Sequence, residues 1–440
     1  MDERPRADPP NDELERFWCW EPRGLRVGVL VGIVLALAAV LCLSNLGLQG
    51  LEHDELYTAV FSRLPLGQQV ELLREDQHPP LYTFLMHFWL AAGSSDSWVR
   101  LPSALFAIGS CWLAFLIGRE CLSNAYGLLA ALLVAIHPFH SWLAQVGRSY
   151  AMFGFEVLLT LYAALRLVRR GGRSSDWALY GVAACLQFYT FYYGYCVVSM
   201  LGLLLLVVFA DRPQILRRWL AAHLSIVVGY SPWIPVACHQ VFATPNKMLA
   251  TKVPAVGEQL ENIARMGATV TEPFWTLSLH SETRALSVIP WVALAAGLTF
   301  AAGVAGFRSV RRLTPVPWYF LPAAAAGCFL FPALVSLALN AHFLSWRYQV
   351  AASLLGQFVV AAALMWPRRA WVLVVVVLAI CRWELALALS LQHTPRDQFR
   401  EAAAEVAAKA RADDALVFSR ESYEFIGSHY FKAPGTQCGF

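Results

Sequence analysis

Apolar residues in this chain come in blocks of about twenty, each closed by a short charged or proline-rich break, and that spacing limits the fold more than any other feature. A block of that length crosses a bilayer as one helix, because a helix satisfies its own backbone hydrogen bonds in lipid. The blocks fall at roughly 27–48, 100–118, 125–140, 152–168, 176–191, 194–210, 219–237, 285–306, 318–339, 349–366 and 370–391. Composition agrees: 58% of the 440 residues are hydrophobic and 15% are charged, where soluble domains carry about 25% charged residues. The expected fold is an all-α polytopic membrane bundle of about 11 transmembrane helices over residues 27–391. Residues 1–26 mix acids, bases and prolines and read as a cytosolic tail before an uncleaved first span. The ten cysteines are scattered without metal-ligand spacing, and a packing role is expected for them.

Basic clusters set the orientation. Arg23 and Arg26, Arg119, Arg166 to Arg173, Arg212 to Arg218, Arg308 to Arg312, and Arg368 with Arg369 all fall on one side of an eleven-span chain, which is then cytoplasmic. The segment His78 to Gly93 is apolar but short for a span, and counting it would scatter those clusters over both sides. It is expected as an interfacial or re-entrant helix. The opposite face collects the first loop (49–99), "HPFHSWLAQVGRSYA", a long loop (238–284), "NAHFLSWRYQ", and a short extracytoplasmic tail (392–440) with a helix-like and then a strand-like segment.

Chemistry concentrates on that face. The stretch "LEHDELYTAVFSRL" carries His53, Asp54 and Glu55 ahead of an apolar stripe with Tyr57 at helical spacing. A helix along the membrane surface follows, with an acid pair at its head. Helix capping by Asp54 explains part of this, but not the adjacent Glu55. In the same loop "REDQHPPLY" offers Asp76, Gln77, His78 and Tyr82 as a polar wall, or simply a helix start at the proline pair. Arg148 beside Tyr150 in "QVGRSYA", and Arg347 beside Tyr348 in "SWRYQV", stand where spans meet the outer face. Snorkelling cations and interfacial aromatics account for such pairs equally well. Lys247 and Lys252 are weaker cationic candidates.

Acids and cations on one outer face suit a substrate whose phosphate is fixed at headgroup depth. A lipid-phosphate-linked sugar fits: an anionic phosphate leaving group takes forked contacts from Arg, and an incoming hydroxyl needs a carboxylate to remove its proton. An O-antigen-type polymerase or ligase would share the arginines but not an acid pair opening the first loop. A transporter or flippase would place its polar residues near the midplane, often in repeated halves. Glu156 stands one turn into a span and within reach of the outer pocket; His87 and His223 read as packing residues; Arg382 and Glu384 sit in the last block with a structural reading.

The order of an acid pair after the first span, then "HPPLY", "VRLPSALFAIGS", "QVGRSYA" and a late "RY" resembles the protein O-mannosyltransferase and aminoarabinose-transferase superfamily. These are family-39-type glycosyltransferases of the GT-C fold, and the likeness covers most of residues 30–360. The resemblance implies a GT-C-like bundle and inverting transfer from a polyprenyl-phosphate sugar at the periplasmic face of an inner membrane. It implies Asp54 as general base, Glu55 as its partner in binding, and Arg148 and Arg347 near the lipid phosphate. Larger members carry a substantial C-terminal outer domain; with the short tail here, a sugar or lipid acceptor is expected rather than a protein. No obligatory cofactor is expected, although Asp54, Glu55, Asp76 and His78 supply ligand types that a divalent cation accepts.

Overall fold

The computed structural model describes residues 21–76, 78–242, 289–338, 349–365, 398–409 and 429–430, with 378, 379, 382 and 386 besides. Its elements are α1 (Leu25–Leu43), α2 (His53–Phe61), α3 (Leu66–Glu75), α4 (Leu81–Trp89), α5 (Asp96–Cys121), α6 (Asn124–Ile136), α7 (Pro138–Ala144), α8 (Tyr150–Arg170), α9 (Ser174–Thr190), α10 (Gly194–Val208), α11 (Pro213–Tyr230), α12 (Ile234–Phe242), α13 (Ile289–Ser309), α14 (Phe320–Ala338), α15 (Val350–Met365) and α16 (Phe399–Lys409). No strand occurs among the described residues. The expected strand-like segment of the tail, Lys247 and Lys252, and nearly all of the block at 370–391 lie outside the described residues.

This is a multi-pass membrane protein. Helices α1, α5 and α8 are each long and apolar enough to cross a bilayer, and the bent pairs α6–α7 (62°) and α11–α12 (71°) add two more if each pair is one span. Outward faces are apolar: Leu25, Val29, Ile33 and Val40 on α1, and Leu220, Leu224, Val227 and Val228 on α11, are all more than half exposed. Such stripes are stable against lipid and not against water. Inside, α5 packs on α6 and α8, α8 on α9, and α15 on α13, α14, α6 and α8. Helix α15 is buried nearly all round, as its continuous apolar run requires. Backbones approach closely where α5 crosses α6: a Cβ on Gly118 would stand 2.5 Å from Gly127 Cα, so this crossing requires glycine.

The segment His78 to Gly93 forms only the nine-residue α4, about 14 Å long and too short to span. It lies against α5, where Pro102 interrupts the hydrogen-bond ladder. The carbonyl four residues earlier, Trp98 O, accepts instead from Trp89 Nε1 at 2.9 Å, and Trp98 Nε1 donates to Trp89 O at 3.1 Å. Their rings stack at 4.6 Å. The proline break is thereby the point at which α4 is fastened.

Among the described residues the basic clusters gather at one end of the bundle. Glu120 pairs with Arg169 and Arg170, Arg218 donates to Gly172 O, and Thr314 donates to Cys121 O. The opposite end carries α2, α3, α4, the 145–149 turn and α12. The tail returns there too: Arg400 donates to Gly47 O, Leu48 O and Asp96, while Tyr430 accepts from Leu51 N at 2.7 Å.

Candidate active site

The head of α2 is built by three acids with three different tasks. Glu52 is the N-cap and forms a capping box with Glu55, whose Oε2 accepts from Glu52 N at 2.9 Å. Capping therefore falls to Glu52 and Glu55; the expected cap, Asp54, is the second residue of the helix, with a side chain 46% exposed.

Glu55 departs from the role expected of it. It is fully buried, and Arg100 Nε and Nη2 donate to its two oxygens at 2.7 and 2.6 Å. Gly147 N donates to Oε1 at 2.7 Å. Arg100 completes its donor set on Leu46 O, Gln49 O and Gly50 O. A buried ion pair is tolerable when every donor and acceptor is satisfied in this way. Glu55 thus ties α2 to α5 and to the 145–149 turn, and no substrate group can reach it without breaking the pair. Gly147 is required for the approach, since a Cβ there would stand 2.9 Å from Val99 Cγ1.

That turn delivers Arg148 over the other side of α2. Its Nη1 donates to Asp54 O (3.2 Å) and Thr58 Oγ1 (2.9 Å), and its Nη2 to His78 Nε2 (3.0 Å). A guanidinium only donates, so Nε2 of His78 accepts and the ring proton is assigned to Nδ1. Nδ1 in turn faces both Asp76 oxygens at 3.2 Å, and Tyr57 OH donates to Asp76 Oδ2 at 3.4 Å. Burial works against the Arg148 charge, but Tyr150, Asp54, Asp76 and Tyr82 outweigh it and hold its pKa above the usual value. Burial likewise raises the Tyr57 hydroxyl, with Asp76 adding to the effect. Arg148 Nε is buried without a partner.

These groups surround a small cavity of about 20 Å³ lined by Tyr57, Thr58, Phe61, Asp76, His78, Pro79, Tyr82, Thr83, Arg148 and Ser149. Tyr82 OH is 3.2 Å from Ser103 Oγ, which donates to Arg148 O, so α4, α5 and the turn share one wall. Of the residues expected from sequence, Tyr57, Asp76, His78, Tyr82 and Arg148 line the cavity together. Asp54 and His53 are not among the lining residues; on α2 their side chains stand 3.7 Å apart, and Asp54 O accepts from Arg148 Nη1. Tyr150 packs edge-on against Phe191. Glu156 is buried with Thr190 Oγ1 on its Oε1, away from the cavity lining. Gln77, Arg347 and Tyr348 lie outside the described residues. His87 meets Gln69 and the carbonyl of Ser62 at the end of α2, while His223 meets Trp219 O within α11 and stands near Tyr180 OH.

Arg100, Gly147, Thr58 and Ser103 were missed in the sequence. A signal existed for Arg100, a lone cation inside an apolar block on the face where cations are scarce. As metal donors, Asp76 and His78 stand side by side in the cavity lining; among the described residues no three His, Cys, Asp or Glu side chains converge on one point.

A bundle of this form, with its polar cavity roofed by short helices between the first two spans, has the GT-C fold of integral-membrane glycosyltransferases. Residues 77–239, less than half of the chain, match the family model described as dolichyl-phosphate-mannose-protein mannosyltransferase. The match begins beside Asp76 and includes Arg148, and it leaves out Asp54. No curated protein matches the chain in sequence. Among solved structures, the chain is similar to ArnT from Cupriavidus metallidurans bound to undecaprenyl phosphate, with TM-score 0.61 and 15% identity over 91% of this chain and 85% of that one. It is also similar to the oligosaccharyltransferase AglB from Archaeoglobus fulgidus in complex with an inhibitory peptide and a dolichol-phosphate, with TM-score 0.51 and 13% identity over 91% of this chain and 63% of that one. The chain therefore spans less than two thirds of the length of AglB.

Proposed function

We propose that this protein transfers a sugar from a polyprenyl-phosphate donor to an acceptor hydroxyl, with inversion, at the outer, periplasmic face of the membrane. The observation that carries the reading is Arg148: a buried guanidinium with an unpartnered Nε, lining a cavity and bonded to the backbone O of Asp54, whose carboxylate is half exposed. Arg148 takes the donor phosphate and stabilises the charge that grows on it as the sugar departs. Asp54 removes the proton of the attacking hydroxyl from the opposite side of the anomeric carbon. His78 and Asp76 keep the guanidinium aimed, and Tyr57 and Tyr82 bracket the sugar. Glu55 acts through position alone, by fixing α2. Arg347 and Tyr348 are assigned to the same phosphate subsite on the resemblance.

Support for the donor class comes from ArnT and AglB, whose structures hold undecaprenyl phosphate and a dolichol-phosphate. Positive-inside bias supports the orientation, since the arginine-rich end opposes the cavity. No resident cofactor is assigned; Asp54 and Asp76 are the carboxylates an added divalent cation would reach.

The test is sugar transfer in proteoliposomes from labelled polyprenyl-phosphate hexose or pentose. Release of label by wild type and not by Asp54→Asn supports the reading. Equal release by both removes Asp54 as base, and no release from any donor removes the transferase.

A further inference from the structure

At the arginine-rich end, the turn between α13 and α14 encloses an open recess of about 590 Å³ lined by Arg311, Arg312, Thr314, Pro315, Val316, Pro317 and Trp318. We infer that this recess binds the headgroup of an anionic phospholipid, with Arg311 and Arg312 on the phosphate and Trp318 at the level of the glycerol.

Three observations carry this. First, the two arginines differ from their neighbours at this end. Arg166 pairs with Asp176, and Arg169 and Arg170 pair with Glu120. Among the described residues neither Arg311 nor Arg312 has a carboxylate partner, and both are exposed. Second, the recess is rigid. Thr314 Oγ1 donates to Cys121 O and accepts from Val316 N, which pins the turn to the end of α5. Pro315 and Pro317 flank it with fixed φ and no N–H of their own. Third, its depth is that of a membrane surface. The turn joins the ends of two apolar helices, and Arg308 lies over the Trp318 ring at 5.9 Å, an arrangement suited to the headgroup layer. A basic pocket between helix ends at that depth meets lipid phosphate before any other anion.

The experiment is native mass spectrometry of the full chain in detergent after equilibration with equal amounts of phosphatidylglycerol and phosphatidylcholine. Wild type should retain one phosphatidylglycerol with a preference of about tenfold or more. Arg311→Ala/Arg312→Ala should bring the preference to within about twofold of parity. Arg173→Ala/Arg217→Ala removes two exposed cations from the same end outside the recess and should keep it. If the alanine pair does not fold, Arg311→Gln/Arg312→Gln takes its place, and an unchanged elution volume and melting temperature qualify the variant. Equal loss in the control pair would reduce the site to general surface charge and overturn the inference. So would an undiminished preference in the recess variant, or displacement of the lipid by millimolar inorganic phosphate.

Discussion

Arg100 directs two of its five N–H groups at Glu55 and the other three at the carbonyls of Leu46, Gln49 and Gly50. The root of the first loop is thus wrapped around one guanidinium, and the adjacent acids Asp54 and Glu55 are separated in function by one residue of helix.

Removing Glu55 should therefore act on the fold. Glu55→Ala leaves Arg100 charged, buried and short of two acceptors, and a loss of about 3–5 kcal/mol is expected. Thermal unfolding in detergent should show a clearly lowered midpoint, with Arg100→Ala lowering it to a comparable degree. A midpoint unchanged in both variants would show that the pair does not hold α2.

Asp54→Asn should do the reverse. Transfer should fall by about 10²-fold or more, while the melting temperature and donor-lipid affinity stay at wild-type levels. Single-turnover assays with labelled donor, run beside a binding measurement, separate the two quantities.

Arg148→Ala should weaken donor binding by about tenfold or more, since a charge-assisted contact to phosphate is lost. Arg148→Lys should not restore it, because an ammonium cannot reach Thr58, His78 and a phosphate from one rigid fork. Lysine rescue to wild-type affinity would reduce Arg148 to a point charge.

Gly147→Ala should destabilise the protein by about 1–3 kcal/mol, because its Cβ would press on Val99 at 2.9 Å and crowd Glu55. Activity measured below the new melting temperature should fall too, since the same turn presents Arg148.

Transfer assayed with and without a chelator addresses the remaining ligand question. Unchanged rates fit a site in which Asp54 and Asp76 work without a metal; a loss restored by magnesium or manganese would make them ligands.

Much of this was legible in the sequence because lipid leaves few options. Apolar helices could be placed from block length, although among the described residues three to five are long enough to span, and the shortness of His78 to Gly93 set it apart. The cluster of Tyr57, Asp76, His78, Tyr82 and Arg148 followed from polar residues being scarce and confined to outer segments. Three-dimensional partnerships were not legible. Asp54 and Glu55 look alike as neighbours in a string, but a helix turns successive side chains about 100° apart, and Arg100, forty-five residues on, decides which of them is buried. The use of Trp98 O by Trp89 was equally hidden, since a proline in a helix announces a freed carbonyl without naming what fills it.

The clamp at the loop root also bears on turnover. On the proposed function, α2 fastened to α5 through a fully satisfied buried pair keeps Asp54 in one place throughout turnover. The flank between α3 and α12 is fastened as well: Gln240 Nε2 donates to Leu73 O, Phe61, Leu73, Trp233 and Val236 pack in one cluster, and Glu75 meets His239 at the exposed edge. On that function, the acid on α2 is held as firmly as a core residue, and the substrates must come to it.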